Sequence, residues 1–309
     1  MAARATRSAS RKARLTEAVA TGPLGALSHD ELGVIVDGLA DPLQPVVAVA
    51  LSSTCLGLRT PLQAALEVLK ERHARAAALY RKVGCWDPVT RNDVTFAELG
   101  NSERLYLYDK RLVASDLTTV GMILRTCWLP KLKAIDLCHN FFGNSGMQTL
   151  CESLDRGAVP SLRSLTLTLN SIGPVGAEAF AAALRRGALP NLENLILQMN
   201  YTLGNQGAAA LAAPLRKLTA LKWLELSTCA IGDEGVASLV ADLGKDDFKS
   251  LKKLHLARNP ISDAGPLVAA LDRGALPCLE EVVVSAGQSA ADAAVAAALA
   301  RARARRAAA

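Results

Sequence analysis

Between residues 102 and 287, apolar residues fall on the first, fourth and sixth positions of a unit that recurs every 28–30 residues. Seven units begin at Ser102, Leu132, Leu162, Leu192, Leu221, Leu251 and Leu279. The fourth position reads Leu105, Ile135, Leu165, Leu195, Leu224, Leu254 and Val282, and the sixth Leu107, Leu137, Leu167, Leu197, Leu226, Leu256 and Val284. Polar or mixed residues alternate with them, so each unit predicts a short half-buried strand. The ninth position reads Lys110, Asn140, Asn170, Asn200, Cys229, Asn259 and Gly287. A chain that turns sharply after a strand leaves main-chain donors and acceptors buried, and these need partners. An asparagine side chain supplies both kinds. Asn140, Asn170, Asn200 and Asn259, with Cys229 standing in for a fifth, are therefore expected to stack as a structural ladder. Lys110 and Gly287 depart from the pattern in the two end units.

The second half of each unit predicts a helix. It opens on paired glycines: Gly143 and Gly146, Gly173 and Gly176, Gly204 and Gly207, Gly232 and Gly235. Glycine suits a positive φ or a close backbone approach there. Ala/Leu-rich runs such as 177–184 and 208–215 follow, with small residues that let the helix pack close to the strand layer. The exits repeat as Arg186-Gly187-Ala188-Leu189-Pro190 and Arg273-Gly274-Ala275-Leu276-Pro277, which are helix stop signals. A unit of this length cannot bury a core alone, so its copies must stack.

The LxxLxLxxN spacing at Leu162, Leu165, Leu167 and Asn170, repeated from Leu192 and Leu251, resembles the leucine-rich repeats of the ribonuclease-inhibitor type over residues 102–287. The resemblance implies an α/β, right-handed solenoid: a horseshoe with parallel strands inside and helices outside. It implies macromolecular recognition on the concave face, as in ribonuclease inhibitor, immune receptors of the nucleotide-binding type and Ran GTPase-activating protein. No motif selects among these, so no family residue is carried over.

Other segments frame this core. Residues 1–22 read as a basic disordered tail, 23–83 as a helical segment, 84–101 as a linker holding Trp86 and Phe96, and 288–309 as an Ala/Arg-rich capping helix or tail. Apolar spacing within 23–83 predicts short helices broken at Pro42 and Pro45. A longer amphipathic helix is expected from Leu62 to about Lys82, with Leu66, Leu69 and Leu79 on one face. Glu31, Leu32, Ile35, Leu39, Leu51 and Cys55 resemble an F-box across residues 27–60, although Ser28 and Thr54 replace the usual Pro and Val. That resemblance implies docking to a Skp-type linker subunit of a cullin ubiquitin ligase. A plain helical cap sealing the first repeat is the alternative, because solenoids need their ends covered.

Composition narrows the function further. Hydrophobic residues make up 50% of the chain but aromatics only 4%, which suits small-residue helix packing. The formal charge is +6. The acid-free ends carry Arg4, Arg7, Arg11, Lys12 and Arg14 and then Arg301, Arg303, Arg305 and Arg306, so the segment between them is net negative. Nucleic-acid contact is thus expected only non-specifically through the tails. The same basic N-terminus is the feature that would serve nuclear or organellar import. The apolar stretch 32–51 contains Asp37, Asp41, Pro42 and Pro45 and cannot span a bilayer. The seven cysteines show no C-x-x-C pairing, which predicts reduced thiols and a cytoplasmic protein.

No phosphate-binding loop, zinc-protease, nucleophile-elbow or kinase motif is present. Cys138 beside His139 lacks a second ligand pair at zinc spacing, so no metal, cofactor or catalytic residue is expected. The expectation is a non-catalytic scaffold for a protein partner. Its alternatives are an F-box-type substrate receptor and a Ran-type GTPase activator, and the basic C-terminal end argues against the latter. Residues between the leucines should face the concave side. The candidate partner-binding residues are Tyr106, Tyr108, Asp136, His139, Thr166, Thr168, Gln198, Met199, Trp223, Glu225, His255 and Arg258. Trp223 stands out, because a large apolar group at an open strand position invites a covering partner.

Overall fold

The computed structural model describes residues 63–308, apart from 85, 88–91, 94–97, 128, 155–157, 245 and 286–289, together with Pro45 and Val49. The basic N-terminal tail, the F-box-like stretch 27–60 apart from Pro45 and Val49, and Phe96 lie outside the described residues. By compactness the chain divides into two units, 1–80 with 126–128, and 81–125 with 129–309.

In the first unit, α1 spans Gln63–Val83 across the division. Leu69, Ala76 and Leu79 recur at helical spacing and are buried, and Leu66 is half-buried. In the second unit, the stretch 84–101 expected as a linker holds structure of its own. β1 (Trp86–Asp87) and β2 (Asn92–Asp93) pair antiparallel, and a 3-10 turn covers Glu98–Asn101.

The larger unit is built from the repeats. Seven strands, β3 (Arg104–Tyr106), β4 (Ala134–Asp136), β5 (Ser164–Thr166), β6 (Asn194–Ile196), β7 (Trp223–Glu225), β8 (Lys253–His255) and β9 (Glu281–Val283), form one parallel sheet in chain order. Their register pairs like positions, for example Leu165 with Leu195 and Leu224 with Leu254. Between them run α2 (Ala114–Thr126), α3 (Gly143–Glu152), α4 (Pro174–Arg185), α5 (Gly204–Arg216), α6 (Asp233–Val240) and α7 (Gly265–Asp272), and α8 (Ala290–Ala308) ends the chain. This is an α/β repeat solenoid with an open sheet.

The core is the stack of repeat leucines. Leu165, Leu195, Leu224 and Leu254 are no more than 3% exposed, as are Leu137, Leu167, Leu197, Leu226 and Leu256. Each such side chain contributes about 1.5–3 kcal/mol on burial. The second glycine of each helix opening lies against the apolar residue four positions before it. A Cβ on Gly146 would stand 2.6 Å from Phe142 Cβ, and one on Gly235 2.6 Å from Ile231 Cγ2. The positive-φ role expected of the first glycine holds for Gly143 and Gly204 (φ +65 and +62). Gly173 and Gly232 are instead extended helix caps. The left-handed conformation falls mainly on non-glycine residues at the eighth and tenth positions, including His139 and Phe141, Leu169 and Ser171, Thr228 and Ala230.

The chain's arginines finish the helices. Arg186 donates to Cys151 O, Arg216 to Leu239 O and Arg305 to Leu271 O, so each serves a carbonyl at the C-terminal end of a neighbouring helix. The final helix α8 buries Val295, Ala298, Leu299 and Ala302 and packs on α7 and β9.

Candidate concave recognition surface

The ninth-position asparagines bind the turns of successive repeats together. Asn200 is fully buried. Its Oδ1 accepts from Asn170 N (3.1 Å) and Ile172 N (2.9 Å), and its Nδ2 donates to Leu167 O (3.0 Å) and Leu197 O (2.6 Å). Asn140 and Asn259 repeat this arrangement. Asn140 accepts from Lys110 N and Leu112 N, and Asn259 from Cys229 N and Ile231 N. Asn170 accepts from Asn140 N and donates to Leu137 O. In the fifth unit the Cys229 thiol donates to Leu197 O at 3.2 Å. Burial pushes that thiol up to about 12.

A second ladder, which pattern reading missed, ties the helix openings. Asn144 Oδ1 accepts from Gly173 N and Gly176 N, Asn205 Oδ1 from Gly232 N, and Asp233 Oδ1 from Ser262 N and Asp263 N. A side chain from one unit thus caps the orphan donors of the next. The signal was a recurrent Asn/Asp one residue into the helix opening.

The charges form a third row at the second position of each unit. Lys133 pairs with Glu103, Arg163 and Lys222 both with Glu193, and Lys252 with Glu280. The bond from Lys222, with that from Arg163, holds the Glu193 carboxyl below the usual carboxylate range. These cations and acids largely satisfy one another at the strand-start edge.

On the concave strands the candidate residues separate into three groups. Tyr106, Asp136, Thr166, Trp223, Glu225 and His255 lie on the strands themselves. Tyr108, Thr168 and Gln198 at the seventh position, and His139, Met199 and Arg258 at the eighth, stand in the turn that ends each strand. The strands span three residues rather than running to the eighth position. The eighth residues adopt the left-handed conformation, with φ +61, +58 and +56 in these three units.

The structure gathers one tight cluster from this set. His255 Nδ1 lies 2.7 Å from Glu225 Oε2, and its Nε2 lies 3.2 Å from Glu281 Oε1. Glu225 is buried and also accepts from Ser227 N. The Trp223 ring meets His255 edge-on at 5.7 Å, and Lys253 Nζ sits 5.9 Å from its centroid. Lys253 also pairs with Glu281 at 2.7 Å and, with His255, holds that carboxyl below its usual range. Trp223 is therefore half-covered by its own neighbours. Two buried side-chain atoms among the described residues lack a hydrogen-bond partner, Trp223 Nε1 and Thr228 Oγ1, and both belong to the fifth unit.

The middle of the face differs. Ser164, Thr166, Asn194 and Gln198 are half-exposed, and their side chains make no hydrogen bond among the described residues. This floor is uncharged, and its polar side chains are unpaired among the described residues.

Beyond the strand ends, the candidate Tyr108 is joined by two rings that the strand pattern gave no reason to single out. Tyr108 (54% exposed), Phe141 (58%) and Tyr201 (58%) are open aromatic rings in a chain that is only 4% aromatic. His139 links two of them, 5.9 Å from Tyr108 and 4.9 Å from Phe141 between centroids, and its Nδ1 lies 3.3 Å from Asp109.

Burial first, then the neighbouring Asp136, push the Cys138 thiol up to about 12, so it is no thiolate partner for His139. Among the described residues no three His, Cys, Asp or Glu side chains are placed to hold a metal ion, and no helix is long and apolar enough to cross a membrane.

A leucine-rich-repeat family model matches residues 160–181, 217–240 and 249–265, within the third, fifth and sixth units. Comparison with curated proteins gives no match.

Proposed function

We propose that this leucine-rich-repeat protein is a non-catalytic scaffold that binds a protein partner on the concave face of its third to sixth units. Leucine-rich repeats generally mediate protein–protein interaction and typically lack catalytic activity. Repeats of 28–30 residues with a full helix each support the ribonuclease-inhibitor type. The observation that carries the reading is the uncharged floor of Ser164, Thr166, Asn194 and Gln198, whose polar groups are unspent, bounded by Trp223. Half-exposed hydrogen-bonding groups beside a large aromatic ring are what a partner's main chain and apolar side chains would cover. Tyr106, Asp136, Thr168 and Met199 extend the same surface. His255, held by Glu225, and Lys253 brace Trp223 from one side.

Affinity capture from native lysate with wild type and Trp223→Ala in parallel tests this. A prey protein held by wild type and lost from the variant is the expected result. Identical prey lists would overturn the assignment to this face.

A second reading rests on the F-box resemblance at residues 27–60, which makes the protein a substrate receptor of a cullin-type ubiquitin ligase. A Skp-type linker subunit and a cullin should then be captured equally by both forms. Their absence from both would remove this reading while leaving the first in place. A Ran-type GTPase activator is the least supported alternative, and a GTP-hydrolysis assay decides it directly.

A further inference from the structure

The exit turn of the sixth unit and the last turns of α8 enclose an open cavity of about 290 Å³, whose lining includes Asp272, Arg273, Leu276, Pro277, Arg305 and Arg306. Its acid is already engaged. Arg301 holds the Asp272 carboxylate through two bonds, Nε to Oδ1 at 3.0 Å and Nη2 to Oδ2 at 2.8 Å, and keeps it below its usual range. Two of the lining arginines are anchored mainly by neutral groups. Arg305 donates to Leu271 O at 2.9 Å and stands 3.7 Å from the carboxylate that Arg301 holds. Arg306 donates to Ala302 O, Pro277 O and Leu279 O. Carbonyls fix both guanidiniums at the cavity wall without cancelling their charge, and each has five donors, so some remain to be used.

Arg273 differs from its counterpart elsewhere in the repeats. It opens the exit sequence Arg273-Gly274-Ala275-Leu276-Pro277, as Arg186 opens Arg186-Gly187-Ala188-Leu189-Pro190 in the third unit. Arg186 reaches back one unit to Cys151 O at 2.8 Å. The helix one unit back from Arg273 is α6, and its terminal carbonyls Ser238 O and Leu239 O are taken by Arg216. The Arg273 side chain accordingly makes no hydrogen bond or ion pair among the described residues. Next to it Gly274 (φ +80) leaves the turn open, since a Cβ there would meet nothing within 4 Å.

The charge around the cavity is therefore unbalanced. Asp272 and Arg301 offset each other, and the C-terminal end of α7 contributes only about half a negative charge against the three lining arginines. An anion is the ligand that this wall calls for, and the planar guanidinium fork matches the oxygens of a phosphate. Pockets for drug-sized ligands run to about 300–1,000 Å³, so this one takes a phosphate on a small carrier rather than a long polyanion. Leu276, Pro277 and Ala302 give the carrier an apolar side. We propose that the cavity between the sixth exit turn and α8 binds a phosphate monoester, with Arg273 as its free ion-pair partner and Arg305 and Arg306 as donors already fixed in place. A phosphorylated side chain of a partner protein and a free phosphate ester share this chemistry. None of the lining residues belongs to a strand, so the site stands independently of the concave-face reading.

The test is isothermal titration calorimetry with the full chain at fixed ionic strength. The probes are phenyl phosphate, a phosphoserine peptide of otherwise neutral sequence, the same peptide without phosphate, and benzoate. Phenyl phosphate or the phosphopeptide should bind at a single site, with benzoate and the plain peptide far weaker. Tighter binding of the phosphopeptide points to a protein source, and binding of phenyl phosphate alone points to a free ester; either result supports the site. Arg273→Gln should weaken binding about tenfold or more, since a charged hydrogen bond is lost. Its side chain is exposed and unpartnered, so the thermal melt of this variant should match wild type. Lys131→Gln, which removes an exposed cation of the linker before the second strand, should leave binding unchanged. Failure of both phosphate probes to bind would overturn the proposal. So would unchanged binding by Arg273→Gln, or an equal loss in Lys131→Gln, which would reveal only diffuse attraction to a basic surface. Trp223→Ala should bind the phosphate probes normally, so loss of a lysate partner in that variant speaks to the concave face and not to this cavity.

Discussion

Asn200→Ala should be among the most destabilising single substitutions outside the leucine core. The asparagine is fully buried and makes four hydrogen bonds to main-chain groups of two adjoining units. Truncation strands two buried N–H groups, at Asn170 and Ile172, and deprives Leu167 O and Leu197 O of a donor. A buried donor left without a partner costs about 1–3 kcal/mol. Leu197 O keeps the Cys229 thiol as a second donor, so its loss is small. Two stranded donors, with a minor carbonyl term and a small cavity, add up to about 3–6 kcal/mol. That is a large share of the ~5–15 kcal/mol that holds a typical domain folded. Urea unfolding followed by circular dichroism measures it as a lowered midpoint, and hydrogen exchange should localise the loss to the turns of the third and fourth units. Asn200→Asp keeps the two accepted bonds but adds a buried charge, so it should not rescue. A loss below ~1 kcal/mol for Asn200→Ala would refute the reasoning, because it would mean that water reaches the turn and satisfies those donors.

Other expectations follow from the same geometry. Leu224→Ala should cost about 2–5 kcal/mol, since Leu224 is fully buried, while Trp223→Ala next to it should cost less because the indole N–H there already lacks a partner; the opposite order in urea melts would overturn the strand register. Gly235→Ala should destabilise by about 1–3 kcal/mol, because its Cβ would stand 2.6 Å from Ile231 Cγ2 and 2.8 Å from Asn205 Oδ1; an unchanged melting temperature would show that the turn can shift freely. Iodoacetamide at mildly alkaline pH should label the exposed Cys278 while Cys138, Cys151 and Cys229, whose thiols are pushed up to about 12, stay unmodified until denaturant is added; peptide mass mapping reads this, and early labelling of Cys229 would contradict its place in the ladder. The carboxyls of Glu193 and Asp247 are held below the usual range by Lys222 and Lys217, so their contribution is complete above the ordinary carboxylate pKa near 4 and is lost as pH falls through their lowered values. Glu193→Gln should therefore narrow the stability gap between neutral and acid pH, and an unaltered acid limb would show that these pairs are fully screened.

The amino-acid sequence alone determined the repeat, its register and its ladder. A leucine at the first, fourth or sixth position must leave water whatever surrounds it, and a turn after each strand must find partners for its amides. Both demands are local, so Leu224, Leu254, Asn200 and even the stand-in Cys229 could be placed by counting. Which polar groups remain available was decided only by stacking. Glu193 reads as a lone surface acid until the third and fifth units bring Arg163 and Lys222 to it from 30 and 29 residues away. Trp223 reads as an open face residue until His255 and Lys253 arrive from the next unit to cover half of it. Phe141 and Tyr201 carry no periodic apolar signal, since the tenth position is arginine, serine, alanine or proline in the units between and beside them. Their exposure at the strand ends is fixed by the turns that the buried asparagines hold. Burial of the leucines is set within each unit, whereas pairing and exposure at the surface are set by the translation from one unit to the next.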